Sequence, residues 1–237
     1  MISGSYQEIT KEEATLITSK YEDAWKDPSI PQNQYLLAVK PEILKYKQGA
    51  PCAPFSALIA ALLELPPEFE QSSPSFLEVG ASSGYYGEVL KIAGFKFKYE
   101  ASDYSEHFKE LAAKLYPGTP FHVADARKLP FADASYEVVM SGCVMIHVPD
   151  YEVIIKETAR ITKRYAIFHR TPINISDRPT RYFTKEAYGI PCIELHFQES
   201  ELMKLFLKYG LYAVAMKSVF ENPKDDLAHR VYVLEKR

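Results

Sequence analysis

Apolar residues follow two different spacings along the chain, and the change comes near residue 70. Before that point they recur about every 3.6 positions, which is typical of amphipathic helices, in the segments 9–25, 34–47 and 53–65. The pair Pro66-Pro67 ends the last segment, because proline cannot continue a helix. We therefore predict that residues 1–70 form a helical cap.

From Phe76 onward, short apolar strands alternate with amphipathic helices. The pattern predicts strands at 76–80, 95–103, 121–125, 136–146 and 164–170, with helices between most of them, and then a helix at 199–210 followed by two strands. Such alternation is typical of βαβ units with right-handed crossovers. We predict a doubly wound, mostly parallel, seven-stranded α/β sheet over residues 71–237.

The segment 171–197 interrupts this alternation. It is rich in proline, arginine and aromatic residues, which favours an irregular stretch. Connections of this length often serve as lids or binding loops. We predict that the segment is an irregular insertion that covers a substrate together with the N-terminal helices.

Small or acidic residues stand where four of the predicted strands end. They are the loop 80–84 (GASSG), Asp103, Asp125 and the run 141–143 (SGC). Because ligands bind beyond the carboxyl ends of the strands in an open parallel sheet, we expect these residues to meet at one site. Glycines in the loop let a ligand lie against the backbone, and an acidic residue about twenty positions later can bind both hydroxyls of a ribose.

The order and spacing of these segments resemble the class I S-adenosylmethionine-dependent methyltransferases. LEVGASSG is similar to the first motif of that family, YEASDYS to the second, ADARKLPF to the third and SYEVVMSGCVMIHVPD to the fourth. The resemblance extends over residues 76–170, and over residues 195–237 by the order of the elements only. It is greatest to the branch that methylates small molecules, including ubiquinone and menaquinone precursors. It implies a Rossmann-like fold, an enzyme, and S-adenosyl-L-methionine as cofactor.

The resemblance also implies which residues of the first loop bind the cofactor. Glu78 and the backbone at Gly80 and Ser82 would face the methionine moiety, and Gly84 would complete the turn. Ser82 departs from the family pattern, which has a glycine in the middle of the loop. A serine is small enough to leave the turn possible, so the departure affects only the detailed contacts.

The next two strand ends would bind the nucleoside. By the same resemblance, Asp103 would bind the ribose hydroxyls and Tyr104 would lie beside the adenine. Asp125 would accept a hydrogen bond from the adenine amino group, with Ala126 adjacent to it.

The reacting atoms would lie above the fourth strand end. The resemblance implies that Ser141 and Cys143 line the floor below the sulfonium. A base is needed only if the nucleophile arrives protonated, and an imidazole supplies one near neutral pH. His147 and His169 are the catalytic candidates, although His147 could equally stabilise the next helix and His169 could be a surface residue at a strand end.

Two groups of residues are candidates for binding the acceptor. Arg170, Arg178 and Arg181 could hold a carboxylate or a phosphate, or they could be solvated loop charges. Tyr21 and Trp25 could form an aromatic wall, although aromatic residues at helical spacing more often belong to a core.

Composition limits the other partners. The chain has 237 residues and a net charge of −3, so no basic patch predicts nucleic-acid binding. Three scattered cysteines favour a reducing compartment, and no apolar run reaches the ~18 residues of a membrane span. We predict a cytoplasmic protein that acts on a small-molecule acceptor. The run 141–143 lacks the carboxylates of metal-dependent methyltransferases, so we predict no metal.

Two alternatives use the same motifs. A NAD(P)-dependent oxidoreductase also has a glycine loop and an acidic second strand end, but about seventy residues precede the first strand here. The Tyr-x-x-x-Lys spacing of the short-chain type occurs only at Tyr232 and Lys236, on the last predicted strand. A protein that binds S-adenosylmethionine without transferring the methyl group is the second alternative.

Overall fold

The computed structural model describes residues 6–237, except the side chains of Glu68 and Glu70. The strands are β1 (Gln7–Ile9), β2 (Ser75–Val79), β3 (Lys98–Asp103), β4 (Phe121–Val123), β5 (Tyr136–Gly142), β6 (Thr162–Asn174), β7 (Arg181–Ala187), β8 (Ile190–Gln198), β9 (Leu211–Asn222) and β10 (Leu227–Lys236). The α-helices are α1 (Lys11–Lys20), α2 (Ser29–Gln34), α3 (Lys40–Lys47), α4 (Ala53–Leu62), α5 (Pro67–Gln71), α6 (Tyr85–Ile92), α7 (Glu106–Leu115), α8 (Tyr151–Ile161) and α9 (Glu199–Lys208). The first five residues of the predicted cap lie outside the described residues.

Seven of the described strands form a mostly parallel sheet in the order β4-β3-β2-β5-β6-β10-β9. The pairs β2–β3, β2–β5, β3–β4 and β5–β6 are parallel, whereas β10 is antiparallel to both β6 and β9. The predicted α/β class with a mostly parallel sheet is therefore confirmed, although β1, β7 and β8 extend the same sheet to ten described strands instead of the predicted seven. The parallel register brings the carboxyl ends of β2, β3, β4 and β5 to one edge of the sheet.

The segment 171–197 is not an irregular insertion, and this part of the prediction was wrong. Strand β6 continues to Asn174, and β7 and β8 form an antiparallel hairpin whose turn has positive φ at Tyr188 and Gly189. Strand β8 pairs with the end of β6, and β1 pairs with β7. Residues 192–197 of β8 are all buried, yet Ile193, Leu195 and Phe197 alternate with the polar Glu194 and His196, a period-2 signal of a strand that the prediction missed.

Helices cover both faces of the sheet. One core cluster contains residues of α3, α4 and α6, and a second contains residues of α8 and α9. Helix α4 packs against β9 and β10, although it precedes the predicted boundary at residue 70, whereas α1 lies against the hairpin. The division into a cap (1–70) and a main domain stays a prediction. No helix within residues 6–237 is both long and apolar enough to cross a membrane.

The position of α4 gives a stability test. Phe55 is fully buried and its ring lies against those of Tyr46, Tyr85 and Tyr86. We expect Phe55→Ala to lower the free energy of unfolding by about 3–5 kcal/mol, because truncation loses apolar burial and leaves a cavity. The control is Leu63→Ala at the end of α4, where the side chain is 64% exposed. Urea denaturation that shows equal losses for both variants would contradict this packing.

Candidate functional site

The carboxyl ends of β2–β5 open onto one pocket. Ten of the predicted site residues line it, namely Gly80, Ser82, Asp103, Tyr104, Asp125, Ala126, Cys143, His147, Tyr21 and Trp25. The pocket is covered by the segment 21–34, here called the roof segment, and by the first residues of β8. The structure therefore brings together residues that lie far apart in the sequence, such as Tyr21 and His147. Such convergence is expected at the carboxyl ends of parallel strands.

The first loop has a backbone that only small residues can adopt. Gly80 has a φ of +72°, and a Cβ there would lie 1.8 Å from a methyl carbon of Val144. Ser82 has a φ of +53°, a left-handed conformation that glycine adopts without cost. The Ser82 hydroxyl donates a hydrogen bond to Gln34 of the roof segment, which offsets part of this strain. The serine thus keeps the glycine conformation and adds a contact.

Asp103 joins the ends of β2 and β3. Its two carboxylate oxygens accept the backbone N–H groups of Ser82 and Tyr104, each at 2.7 Å. Burial raises the pKa of Asp103 to about 6, although these hydrogen bonds oppose the rise. A carboxylate oxygen can accept more than one hydrogen bond, so each retains capacity for a ligand hydroxyl. The arrangement fits a ribose diol.

Asp125 is already engaged by a neighbour that the sequence reasoning missed. Arg127 donates to both carboxylate oxygens, with the shortest distance 2.7 Å, and the same guanidinium also contacts Glu22 of the roof segment. Burial alone would raise the pKa of Asp125, but the hydrogen bonds from Arg127 lower it overall. An adenine amino group would therefore have to share this carboxylate with Arg127. The Asp-x-Arg spacing in the sequence was the signal that could have revealed this ion pair.

Glu78 lies beneath the pocket and does not line it. The side chain is 1% exposed and accepts a hydrogen bond from the Tyr99 hydroxyl. Burial raises the pKa of Glu78 to about 8 from an ordinary value of 4.5, although the Tyr99 hydrogen bond opposes the rise. The carboxyl is therefore mostly protonated at pH 7. The structure places it below the loop rather than against a ligand, contrary to the predicted contact with the methionine moiety.

Two other predicted cofactor positions also lie behind the pocket surface. Gly84 has a φ of +76° and stands at the start of α6, where it ends the loop. Ser141 is 2% exposed, and its hydroxyl has no hydrogen-bond partner among the described residues. Neither residue lines the pocket as described. Of the predicted floor, only Cys143 reaches the surface.

The roof segment contacts each of the strand-end loops. The Trp25 ring lies 5.3 Å from the His147 ring, and Lys26 lies 4.5 Å above the Tyr104 ring. Together with the contacts of Gln34 and Glu22, these interactions cover the pocket. Such coverage excludes water and fixes the ligand-binding loops relative to one another.

The two candidate histidines have different environments. His147 lines the pocket, and its Nδ1 donates to the backbone carbonyl of Ile193 at 2.7 Å, which leaves Nε2 as an acceptor. Burial lowers the pKa of His147, so the ring is neutral at pH 7. His169 is 1% exposed, does not line the pocket, and has its Nε2 2.6 Å from the Tyr86 hydroxyl. The structure does not bring His169 to the site.

Arg178 and Arg181 do not reach the pocket, so the structure does not support the predicted substrate clamp. They lie at a separate shallow concavity near the start of β7, where Arg178 pairs with Asp226 at 2.7 Å and Arg181 pairs with Glu8 at 2.6 Å. The unpredicted extension of β6 carries them away from the strand ends. Arg170 remains near the pocket, because its backbone carbonyl lies 3.9 Å from the Cys143 sulfur.

Comparisons with known proteins extend this picture. Residues 77–169 match a family model described as a methyltransferase domain. A probable S-adenosylmethionine-dependent methyltransferase of Mycobacterium tuberculosis is 29% identical over 152 residues, which are 62% of this chain and 52% of that protein. A demethylmenaquinone methyltransferase of Chlorobaculum parvum is 33% identical over 94 residues, 39% of this chain and 38% of its own. The chain thus spans about half the length, or less, of these curated relatives.

Solved structures are similar in fold. A Burkholderia thailandensis 1,6-didemethyltoxoflavin-N1-methyltransferase, solved with its substrate and S-adenosylhomocysteine, has a TM-score of 0.58 and 16% identity, covering 100% of this chain and 96% of that one. The [4+2]-cyclase SpnF has a TM-score of 0.51 and 14% identity, covering 75% of this chain and 80% of its own. At these identities the likeness concerns the fold alone.

The raised pKa of Glu78 predicts a pH-dependent stability. Ionising a carboxyl whose pKa is higher in the folded protein costs stability as the pH rises between the unfolded and folded values. Between pH 5 and pH 8 we expect the free energy of unfolding of the wild type to fall relative to that of Glu78→Gln, by at most about 1.4 kcal/mol per pH unit. Urea denaturation at pH 5.5, 7.0 and 8.5 measures this difference.

The control is Glu12→Gln, which removes an exposed carboxyl on α1. A constant difference in unfolding free energy between the wild type and Glu78→Gln across the three pH values would show that Glu78 is ionised throughout. That result would contradict the raised pKa of Glu78.

Proposed function

We propose that this chain, whose residues 77–169 carry a methyltransferase domain, is an S-adenosylmethionine-dependent methyltransferase that acts on a small-molecule acceptor. The observation that carries the proposal is the convergence of four strand ends on one covered pocket, with the Asp103 carboxylate at its edge. The enzyme class and the cofactor agree with the sequence motifs and with the names of the relatives.

The residues present fit the cofactor. Asp103 would hold the ribose hydroxyls with the lone pairs that the backbone N–H groups leave free. Tyr104 and Phe108, which also line the pocket, would contact the adenine. The backbone of the loop from Gly80 to Ser82 would hold the methionine moiety, because both residues line the pocket.

The contribution of the protein to the reaction is mainly positional. When bound, S-adenosylmethionine supplies a methyl group on a positively charged sulfur and leaves as a neutral thioether. The roof segment excludes water, and the pocket walls align the acceptor for an in-line displacement. His147 Nε2 accepts the proton if the acceptor atom carries one. The run 141–143 offers no carboxylate for a metal, so we propose that the reaction needs none.

The names of similar proteins support a small organic acceptor. One relative is a demethylmenaquinone methyltransferase, and the Burkholderia thailandensis structure contains 1,6-didemethyltoxoflavin. Demethylmenaquinone and 1,6-didemethyltoxoflavin are both unsaturated compounds with flat rings. The aromatic side chains of Tyr21 and Trp25 in this pocket suit a flat acceptor. We therefore propose an acceptor of this general kind.

Calorimetry with S-adenosylhomocysteine tests the cofactor site. We expect the wild type to bind it, and Asp103→Asn to bind at least ~10-fold more weakly, because the amide offers one acceptor oxygen in place of two. The affinity of the wild type should fall as the pH drops through about 6, since the carboxyl then gains a proton.

The matched control is Asp225→Asn, an exposed residue in the β9–β10 turn. Absence of binding by the wild type would contradict the proposed function. Equal affinities for the wild type and Asp103→Asn would contradict the assignment of the ribose site, and binding of NADH in place of S-adenosylhomocysteine would favour the oxidoreductase alternative.

His147→Gln tests the proposed base. For an acceptor with a protonated nucleophile, we expect methyl transfer to fall by about 10²-fold or more, while S-adenosylhomocysteine affinity stays within about two-fold. The measurement is S-adenosylhomocysteine release with the best acceptor from a panel of phenols and hydroxylated heteroaromatic compounds. His107→Gln on the surface of α7 is the control, and an unchanged rate for His147→Gln would rule out the base.

A further inference from the structure

Arg170 differs from the other arginines of the chain in having no ion-pair or ring partner for its charge among the residues that the structure describes. Of the eight arginines, six form ion pairs with carboxylates, and Arg164 lies over the rings of Phe69 and Tyr165. Among the described residues, Arg170 has neither kind of partner within contact distance. A guanidinium is always charged, and a half-buried charge without a partner is unfavourable.

The backbone at Arg170 is also strained. Its φ is +57°, a left-handed conformation that is unfavourable for a residue with a long side chain. The strain arises at a bulge in β6, where the register with β10 shifts and His169 and Arg170 both lie opposite Val231. Bulges of this kind redirect a side chain and are frequent beside binding sites. Strain and an unpaired charge therefore coincide at one residue.

Arg170 is not itself among the residues that line the pocket, but it lies next to Cys143, which is. It follows His169, which pairs with Gly142 at the end of β5, and its carbonyl lies near the sulfur of Cys143. Burial raises the pKa values of Tyr85, Cys143 and Tyr188, and the positive charge of Arg170 opposes each rise, so all three groups lie within its electrostatic range. The two tyrosines are neutral hydrogen-bond donors at pH 7.

We propose that Arg170 binds a carboxylate group of the methyl acceptor, with Tyr85 and Tyr188 beside it, so that the substrate is a small organic acid. This inference rests on the proposed methyl-transfer function. The planar guanidinium matches a carboxylate through two parallel hydrogen bonds, and that pairing neutralises the charge that residues 6–237, as described, leave unpaired. A single arginine with neutral neighbours suits one negative charge better than the two of a phosphate.

Binding of benzoate, benzamide and phenyl phosphate to the protein saturated with S-adenosylhomocysteine tests the proposal. We expect the wild type to bind benzoate at least ~10-fold more tightly than benzamide, and Arg170→Gln to lose that difference. Arg164→Gln, which removes the stacked arginine on the protein surface, should keep it. The proposal would be overturned if the wild type bound benzoate and benzamide equally well, or if it bound phenyl phosphate more tightly than benzoate.

Arg170→Gly separates binding from folding. Glycine adopts the positive φ without strain, so we expect this variant to melt at the same temperature as the wild type or higher, while losing the preference for benzoate. A lower melting temperature, or retained preference for benzoate, would assign Arg170 a structural role instead. Affinity for S-adenosylhomocysteine should be unchanged in both Arg170 variants. If the wild type fails to bind S-adenosylhomocysteine, the proposed function fails, and benzoate titration of the free protein still tests Arg170.

Discussion

The Asp103 carboxylate is the interaction on which the arrangement of the site depends. It accepts backbone N–H groups from the first loop and from the residue that follows β3, and so it holds two neighbouring strand ends at a fixed distance. A parallel sheet brings strand ends to one edge but does not fix the loops beyond them. The same carboxylate is partly desolvated, which strengthens its hydrogen bonds and prepares it for further donors.

The roof segment covers the pocket that the strand ends form. Its contacts with Ser82, Tyr104, Arg127 and His147 involve a hydrogen bond, a cation over a ring, an ion pair and two adjacent rings. Each reaches a different loop, so the segment holds all of them while it covers the pocket. Individually, exposed contacts of this kind contribute little, but several on one short segment restrict its movement together. A ligand enclosed in this way is shielded from water, which methyl transfer requires.

The sheet and its strand ends could be predicted from the sequence, because the alternation of strands with helices and the acidic residues at strand ends are local signals. Asp103 and Asp125 could be recognised from spacing alone, and both line the pocket. The β7–β8 hairpin was missed although β8 alternates, with Ile193, Leu195 and Phe197 on either side of the polar Glu194 and His196. What the sequence does not show is that both polar residues are buried, with Glu194 paired to Lys185 of the neighbouring strand. Contacts such as Gln34 with Ser82, 48 positions apart, leave no local pattern. The position of His169 behind the pocket could not be predicted for the same reason, because its partner Tyr86 belongs to another element.

The most direct test of the methyltransferase assignment is a crystal structure of the full chain grown with S-adenosylhomocysteine. The account predicts one molecule in the pocket at the carboxyl ends of β2–β5, with both ribose hydroxyls within hydrogen-bond distance of Asp103 and the adenine between Tyr104 and Ala126. An empty pocket at saturating ligand, or a ligand bound with its ribose away from Asp103, would contradict it.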